Sequence, residues 1–204
     1  MKLINRTSYM DTLTSLIGVP DIKVITGIRR SGKSKLLEAL RDYVEANLSN
    51  SNVIHINYNL DEFENLLEYH ALLAYVKEHR VSGKQKLFCL SMKFRCATVF
   101  ERAINSLHAS EQYDIFITGS NAFLLSSDLS TLFTGRTFEI EVFPFSFEEY
   151  RLYGDEGEVD RDFDEYARTG GMSGSYPYPL QEQRYQYLSN VFKNAHRERY
   201  RAAA

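Results

Sequence analysis

This chain of 204 residues is poor in cysteine, and it lacks long apolar runs and an excess of basic charge. Cys89 and Cys96 are the only cysteines, too few for a disulfide framework and without metal-ligand spacing, so we interpret them as ordinary thiols. No apolar run approaches the length of a membrane span, and no signal-peptide core lies near the N-terminus. A net charge of −3 at pH 7 does not indicate a surface built for nucleic acid. These absences predict a cytoplasmic protein without a membrane partner, and nucleic acid is not indicated.

The strongest positive signal is a complete G-x-x-x-x-G-K-[ST] motif, which predicts a loop that binds nucleotide phosphates. Its backbone amides can cradle phosphate oxygens, Lys33 can reach the β- and γ-phosphates, and the Ser34 hydroxyl can hold Mg²⁺. A strand-like run precedes the motif and helix-spaced leucines follow it, a context that places an anion at a helix N-terminus. The predicted nucleotide ligands are Gly27, Ile28, Arg29, Arg30, Ser31, Gly32, Lys33 and Ser34.

Strand and helix signals alternate along the chain, which predicts an α/β fold with a parallel sheet and helices on its faces. The predicted strands are Lys23–Thr26, Val53–Tyr58, Leu87–Leu90, Tyr113–Thr118 and Phe138–Val142. The predicted helices are Ser34–Leu48, Leu60–Arg80, Phe100–His108 and Ala122–Phe133. A change of composition after Tyr150 predicts a domain boundary near residue 153, with residues 1–153 as the first domain and 154–204 as a helical extension.

One element that ATP hydrolysis requires is missing where it is expected. A P-loop ATPase needs an apolar strand that ends in Asp, often with Glu beside it, to order Mg²⁺ and to activate water. The strand at that position in this chain runs into Ser91–Val99, which contains basic residues but no acid. Asp61, Glu62 and Glu64 follow the preceding strand, but we interpret them as a solvated helix start.

The genetic code offers an explanation for the missing acid. Ser91–Val99 can be encoded by codons that give D-E-V-Q-M-C-D-S when they are read from the third base of the first codon. We therefore hypothesise a shifted reading frame in this segment, which is restored at Phe100 and Glu101. The nucleotide sequence of the gene tests the hypothesis, because codons that yield no Asp-Glu pair in that frame would refute it.

Polar residues outside the motif are predicted to assist hydrolysis. Asn121 or Ser120, after an apolar strand, can contact the γ-phosphate or the attacking water, although the segment from Gly119 could instead form a turn. Arg136 precedes a strand and can neutralise transition-state charge in cis or in trans. The histidines are scattered without ligand spacing, so they predict no metal site.

Together these motifs resemble the prokaryotic AAA-type predicted ATPases, in which the ATPase domain precedes a C-terminal domain of unknown function. The resemblance covers residues 3–190 and is carried by I-T-G-I-R-R-S-G-K-S, E-R-A-I-N-S-L, Y-D-I-F-I-T-G-S-N-A-F-L-L-S-S-D-L and L-F-T-G-R-T-F-E-I-E-V-F-P-F-S-F-E-E-Y. It implies a P-loop NTPase of the additional-strand (AAA-like) type with sheet order 5-1-4-3-2. It also implies that Gly27 to Ser34 bind ATP and Mg²⁺, that Asn121 is a sensor residue and that Arg136 is the family's Gly-Arg arginine.

The chain also departs from the family pattern. Ser91–Val99 replace the family's D-E-x-Q, and the sequence stops at Ala204 where the family continues. Lys193–Arg201 can be encoded so that skipping one base gives a family-like K-T-L-I-E-S-D-I. We therefore expect a frame-disrupted and truncated member of the family.

Several functional hypotheses follow. The first is an active ATPase that uses acids from elsewhere and works with a protein partner or as a homo-oligomer. The second, which we favour, is an ATP-binding module with impaired hydrolysis, because loss of the catalytic acid removes a large factor in rate. The third is a nonfunctional remnant, since Lys93 and Arg95 would be costly if they were buried. A small-molecule kinase is less favoured, because no acceptor-site signature is present.

Overall fold

A parallel five-stranded sheet lies between two layers of helices. The computed structural model describes residues 4–81, 83, 85–91, 97–119, 135–154 and 157–202. The strands are β1 (Ile22–Thr26), β2 (Ser51–Asn57), β3 (Gln85–Ser91), β4 (Asp114–Thr118) and β5 (Thr137–Glu141). The α-helices are α1 (Thr7–Ser15), α2 (Lys33–Asn47), α3 (Tyr69–Glu78), α4 (Ala97–Ala109), α5 (Phe147–Tyr153), α6 (Val159–Thr169) and α7 (Gln181–Ala202), and 3-10 helices span Asp61–Leu67 and Ser173–Ser175.

The strand order of the described sheet is β2-β3-β4-β1-β5, and every pairing in it is parallel. From the opposite edge the order reads 5-1-4-3-2, as the family resemblance implies. β1 is therefore flanked by β4 and β5, with Ile25 opposite Thr118 on one side and Ile140 on the other. In parallel sheets of this kind, ligands bind at the carboxyl ends of the strands, which is the end where the G-x-x-x-x-G-K-S loop follows β1.

Alternating side chains of the central strands fill two cores, one on each face of the sheet. On β1, Ile22 and Val24 join the core under α3 and α4, whereas Ile25 joins the core under α1 and α2. β4 behaves in the same way, because Ile117 enters the first core and Phe116 the second. Burial on both faces explains why these strands are near-continuous apolar runs in the sequence.

The predicted helix Leu60–Arg80 is wrong as a single element. The structure breaks it into the 3-10 helix Asp61–Leu67 and the helix α3, with Glu68 between them in an extended conformation (φ −94°, ψ 138°). The carboxylate of Glu68 accepts a hydrogen bond from the Ala71 amide at 2.9 Å, so it caps α3 from outside. The acids of the 3-10 helix are exposed, in agreement with their interpretation as a solvated helix start.

Helix α1 is an element that the sequence did not predict. Only Leu13 is fully buried in its nine residues, and no side chain among the described residues caps its start. Its apolar pattern is therefore too weak to be recognised from periodicity. The predicted helix Ala122–Phe133 lies outside the described residues.

A buried ion pair fixes the amino ends of β1 and β4. Lys23 on β1 is fully buried, and its Nζ donates to the carboxylate of Asp114 and to the carbonyl of Val19. The other carboxylate oxygen of Asp114 accepts from the Gly18 amide at 2.7 Å. Because a buried charge without a partner is costly, these contacts constrain the pairing of the two strands.

The C-terminal segment packs back onto the sheet-bearing part of the chain. The Phe145 amide donates to the Gly171 carbonyl at 2.8 Å. The rings of Tyr153 and Tyr176 lie 5.2 Å apart, so aromatic contacts cross the boundary predicted near residue 153. That boundary stays a prediction, because the packing on its two sides is continuous.

Candidate functional site

The G-x-x-x-x-G-K-S loop connects the carboxyl end of β1 to the start of α2, as the sequence predicts. Gly27 has a φ of 134°, and a Cβ added there would lie 2.2 Å from the carbonyl oxygen of Val142. That oxygen belongs to the residue directly after β5, whose amide donates to the Thr26 carbonyl at 2.9 Å. The first glycine is therefore required because the neighbouring strand closes on the loop.

Within the loop, the backbone turns through left-handed residues. Arg30 has a φ of 67° and Gly32 a φ of 98°. The Ser31 amide donates to the Ile28 carbonyl at 3.2 Å, which closes the turn between them. Left-handed residues in a tight turn direct successive amides toward a common point, an arrangement that binds anions.

Helix α2 adds its N-terminus to this arrangement. Gly32 is its N-cap, and no side chain among the described residues caps it. The first turn, Lys33 to Lys35, contains no acid. The amides of this turn and the positive end of the helix dipole therefore favour a phosphate at this point. Ser34 is the second residue of α2 and is half-buried. It lies next to the predicted phosphate position, where a Mg²⁺ ligand is expected.

Lys33 is folded over the loop. Its Nζ donates to the carbonyls of Gly27 at 2.8 Å and of Ile28 at 2.7 Å. Burial lowers the pKa of Lys33 from 10.5 to about 8, because desolvation disfavours its charged form. An anionic phosphate would compensate this loss of hydration better than neutral carbonyls do, so the amine is set to exchange these partners for a ligand.

Two buried hydroxyl groups at the loop support the same interpretation. Thr26 at the end of β1 and Ser31 in the loop are 1% and 3% exposed. Their hydroxyl oxygens have no hydrogen-bond partner among the described residues. Buried hydroxyls are normally paired, so these two fit a site that a polar ligand or its hydration shell completes.

Arg6 supports the loop from outside the motif, and nothing in the sequence pointed to it. Its guanidinium donates to the Ser31 carbonyl at 3.0 Å and to the Phe143 carbonyl at 3.0 Å. It also makes a bidentate pair with Glu149 of α5, at 2.7 and 2.9 Å. The residue is only 6% exposed, so one buried cation joins the N-terminal segment, the loop and α5.

Tyr187 of α7 is a second contact to the loop that the sequence did not reveal. Its hydroxyl accepts a hydrogen bond from Arg30 Nη1 at 2.8 Å, and the guanidinium carbon lies 5.0 Å from the ring centre. Tyr187 is 8% exposed and packs with Met172 and Val191. The C-terminal helix thus reaches the loop through an aromatic side chain with a fixed environment.

Arg136 lies at the opposite end of β1 from the loop of its own chain. Its carbonyl accepts from the Ile22 amide at 2.8 Å, which places it at the amino end of β1, whereas the loop follows the carboxyl end. The two ends of this five-residue strand are separated by about 13 Å. Arg136 instead lines a cavity of about 790 Å³ with residues such as Pro20 and Tyr113. The predicted role of Arg136 in hydrolysis, in cis or in trans, stays a prediction.

The other predicted hydrolysis residues lie outside the described part of the chain. Asn121 and Ser120 follow β4, and residues 92–96 follow β3. The register places Ser91 beside Thr118, so the ends of β3 and β4 are adjacent.

Among the described residues no cluster of His, Cys, Asp or Glu has the geometry of a metal site, and none of the helices is long and apolar enough to cross a bilayer.

Comparison with protein families gives a match for residues 19–151, more than half of the chain, to a model described as AAA domain. An uncharacterized protein of Haemophilus influenzae is 33% identical over 175 residues, which cover 83% of this chain and 44% of the relative. An uncharacterized protein of Methanocaldococcus jannaschii is 30% identical over 135 residues, which cover 63% of this chain and 28% of the relative. The chain therefore spans less than half the length of these relatives.

Solved structures with a similar fold include the C. elegans protein PCH-2, with a TM-score of 0.54 and 15% identity over 96% of this chain and 70% of that chain. AMPPCP-bound DnaA of Aquifex aeolicus has a TM-score of 0.52 and 16% identity over 92% of this chain and 60% of that chain. The Aeropyrum pernix ORC1 protein in complex with DNA has a TM-score of 0.53 and 12% identity over 80% of this chain and 50% of that chain. At these identities the likeness shows the fold alone, a P-loop ATPase fold.

Proposed function

This chain belongs to the AAA domain family, and on that premise we propose that it binds ATP and Mg²⁺ at Gly27–Ser34 but hydrolyses ATP poorly. One observation carries the binding part of the proposal. Left-handed Arg30 and Gly32 lead into a helix N-terminus without a side-chain cap, with the amine of Lys33 folded over the same turn. This combination provides backbone amides, a helix dipole and a cation for the phosphates. The bound Mg²⁺ would neutralise charge on the phosphates, with Ser34 as its protein ligand.

Weak hydrolysis is supported by the residues that follow β3. This strand lies two positions from β1, about 10 Å away, which is where an acid could reach the γ-phosphate side of a bound nucleotide. Ser91–Val99 offer no carboxylate at that point. Without a group to activate water, the expected loss in rate is roughly two to four orders of magnitude.

The proposal also includes a homo-oligomer in which Arg136 acts on a neighbouring copy. Arg136 is exposed and lies at the end of the sheet opposite to its own loop. An arginine in this position could stabilise charge at the nucleotide site of another copy. We therefore assign Arg136 a role in trans, and Asn121 the sensor role at the end of β4.

Calorimetric titration of ATP in the presence of Mg²⁺ tests the binding part. We expect Lys33→Ala to abolish binding, because the amine of Lys33 is folded over the loop at the predicted phosphate position. Lys35→Ala is the matched control, since Lys35 is 53% exposed on the same helix and pairs with Glu38. Equal affinity in the wild type and Lys33→Ala would refute binding at this loop.

Phosphate release tests the hydrolysis part. We expect the wild type to release phosphate no faster than Lys33→Ala, and a variant in which Ser91–Val99 are replaced by D-E-V-Q-M-C-D-S to gain roughly a hundredfold or more. Robust turnover by the wild type would refute the proposal and indicate an acid from elsewhere. Glu101, a buried carboxylate on α4, is then the first residue to substitute. A chain without cooperative unfolding would instead indicate a nonfunctional remnant.

A further inference from the structure

We propose that Tyr187 is a positioning residue for the phosphate-binding loop, because it holds Arg30 in the left-handed conformation that the loop needs. The inference rests on the proposed function, since its main readout is nucleotide affinity. It gives the C-terminal helix α7, which lies outside the motif, a part in forming the nucleotide site.

The starting observation is the backbone of Arg30. It is one of two described residues other than glycine with a positive φ, and its φ of 67° lies in the left-handed region. A Cβ in this region collides with the following carbonyl, so residues other than glycine avoid it unless the surroundings hold them there. The loop therefore needs an external contact at Arg30.

The contact that meets this need comes from α7. Arg30 Nη1 donates to the Tyr187 hydroxyl at 2.8 Å, and the guanidinium also lies within cation–π distance of the ring, at 5.0 Å. The two residues are 157 positions apart in the chain. The side chain of Arg30 is thus held at a fixed point, which limits the backbone conformations that it can adopt.

Tyr187 can serve as a support because its own position is constrained. It is 8% exposed and belongs to the small core with Met172 and Val191. A Cβ added to Gly174 would lie 2.0 Å from its hydroxyl oxygen and 2.8 Å from its Cζ. Gly174 therefore allows the phenol to approach, and an alanine there would displace the hydroxyl away from its present place.

Nucleotide affinity tests the support directly. We expect Tyr187→Phe to weaken ATP binding roughly three- to tenfold, because it removes one charge-assisted hydrogen bond and keeps the ring. Gly174→Ala should weaken binding in the same direction without altering either partner. Tyr185→Phe is the matched control, since Tyr185 is exposed on the same helix and accepts only a surface hydrogen bond from Gln181 at 2.8 Å among the described contacts.

Substitution of Arg30 separates positioning from direct contact with phosphate. Arg30→Ala loses the support and keeps the strained backbone, whereas Arg30→Gly loses both the support and the strain. We expect Arg30→Gly to bind ATP more tightly than Arg30→Ala, and Tyr187→Phe to have no further effect in either background. Equal losses in the two Arg30 variants would show that the side chain contacts the nucleotide, and would overturn the proposal.

Hydrogen exchange without nucleotide keeps the test independent of the proposed function. The Ser31 amide is bonded to the Ile28 carbonyl inside the turn, so loosening the turn should speed its exchange. We expect faster exchange in Tyr187→Phe and Gly174→Ala, and wild-type exchange in Tyr185→Phe. If the wild type fails to bind ATP, the proposed function fails and the exchange result still decides the role of Tyr187. Unchanged exchange in Tyr187→Phe would overturn that role.

Discussion

Replacing Arg6 by methionine should destabilise the protein strongly, although the residue lies outside every motif. The substitution keeps much of the side-chain length and removes the guanidinium that joins Glu149, the Ser31 carbonyl and the Phe143 carbonyl. Arg6 is 6% exposed and the side chain of Glu149 15%, so the carboxylate would be left largely dehydrated without its cation. Loss of one partner of a buried pair costs about 3–5 kcal/mol.

Urea denaturation followed by circular dichroism measures this cost. A loss of about 3–5 kcal/mol is a large part of the 5–15 kcal/mol that is typical of a domain, so the midpoint should move clearly. The double variant Arg6→Met/Glu149→Gln should recover part of it, because the neutral amide that replaces the carboxylate needs no cation, and the comparison isolates the coupling of the pair. Arg41→Ala is the control, since the Arg41–Asp42 pair is 34% and 64% exposed and should contribute about 1 kcal/mol or less.

The reasoning would be refuted by a loss below about 1 kcal/mol in Arg6→Met, the range of an exposed pair. It would also be refuted if the double variant lost as much as the sum of the single variants, because two independent sites add in this way. In either case the contacts of Arg6 would be incidental to the stability of the loop.

Other predictions concern the loop, the buried pair and pH. Gly27→Ala should abolish ATP binding in calorimetry, because its Cβ would lie 2.2 Å from a backbone carbonyl, whereas Gly18→Ala, with no atom within 4 Å of the added Cβ, should leave the affinity unchanged. Lys23→Met should cost about 3–5 kcal/mol in urea denaturation, and Lys23→Met/Asp114→Asn should recover part of it. Burial lowers the pKa of His55 below its usual 6.5. The unfolded chain therefore binds the proton first as pH falls, so stability should drop below about pH 6.5, and His55→Gln should flatten this part of the urea midpoint against pH.

Most of the sheet could be predicted from the sequence, because its signals are local. Strands buried on both faces are apolar runs, and those of β1 and β4 were found within two residues of their observed ends. The loop was predicted from its own sequence motif. The backbone of such a loop requires the glycines, and binding of phosphate requires the lysine. Local signals failed at Glu68, which is extended and interrupts an otherwise helical apolar pattern. Its side chain caps the first turn of α3.

The contacts that support the loop could not be predicted in the same way. Arg6 and Glu149 are 143 positions apart, and Arg30 and Tyr187 are 157 positions apart. A single arginine near the N-terminus or a single tyrosine in a polar helix carries no periodicity and belongs to no motif. Only the three-dimensional path of the chain brings them to the loop.

The ligand class is therefore encoded locally, and the geometry that makes the loop able to bind is not. Gly27 to Ser34 specify phosphate, but the turn between Ile28 and Ser31 includes a strained arginine and a carbonyl bound by Arg6. One support comes from before β1 and the other from α7, so both lie outside the span 19–151 that matches the family model. Because each support binds a different side of one short turn, we expect a change in the packing of either end of the chain to change the free energy of the proposed nucleotide binding. Coupling of this kind would require no contact between the nucleotide and α7, and it would not depend on hydrolysis.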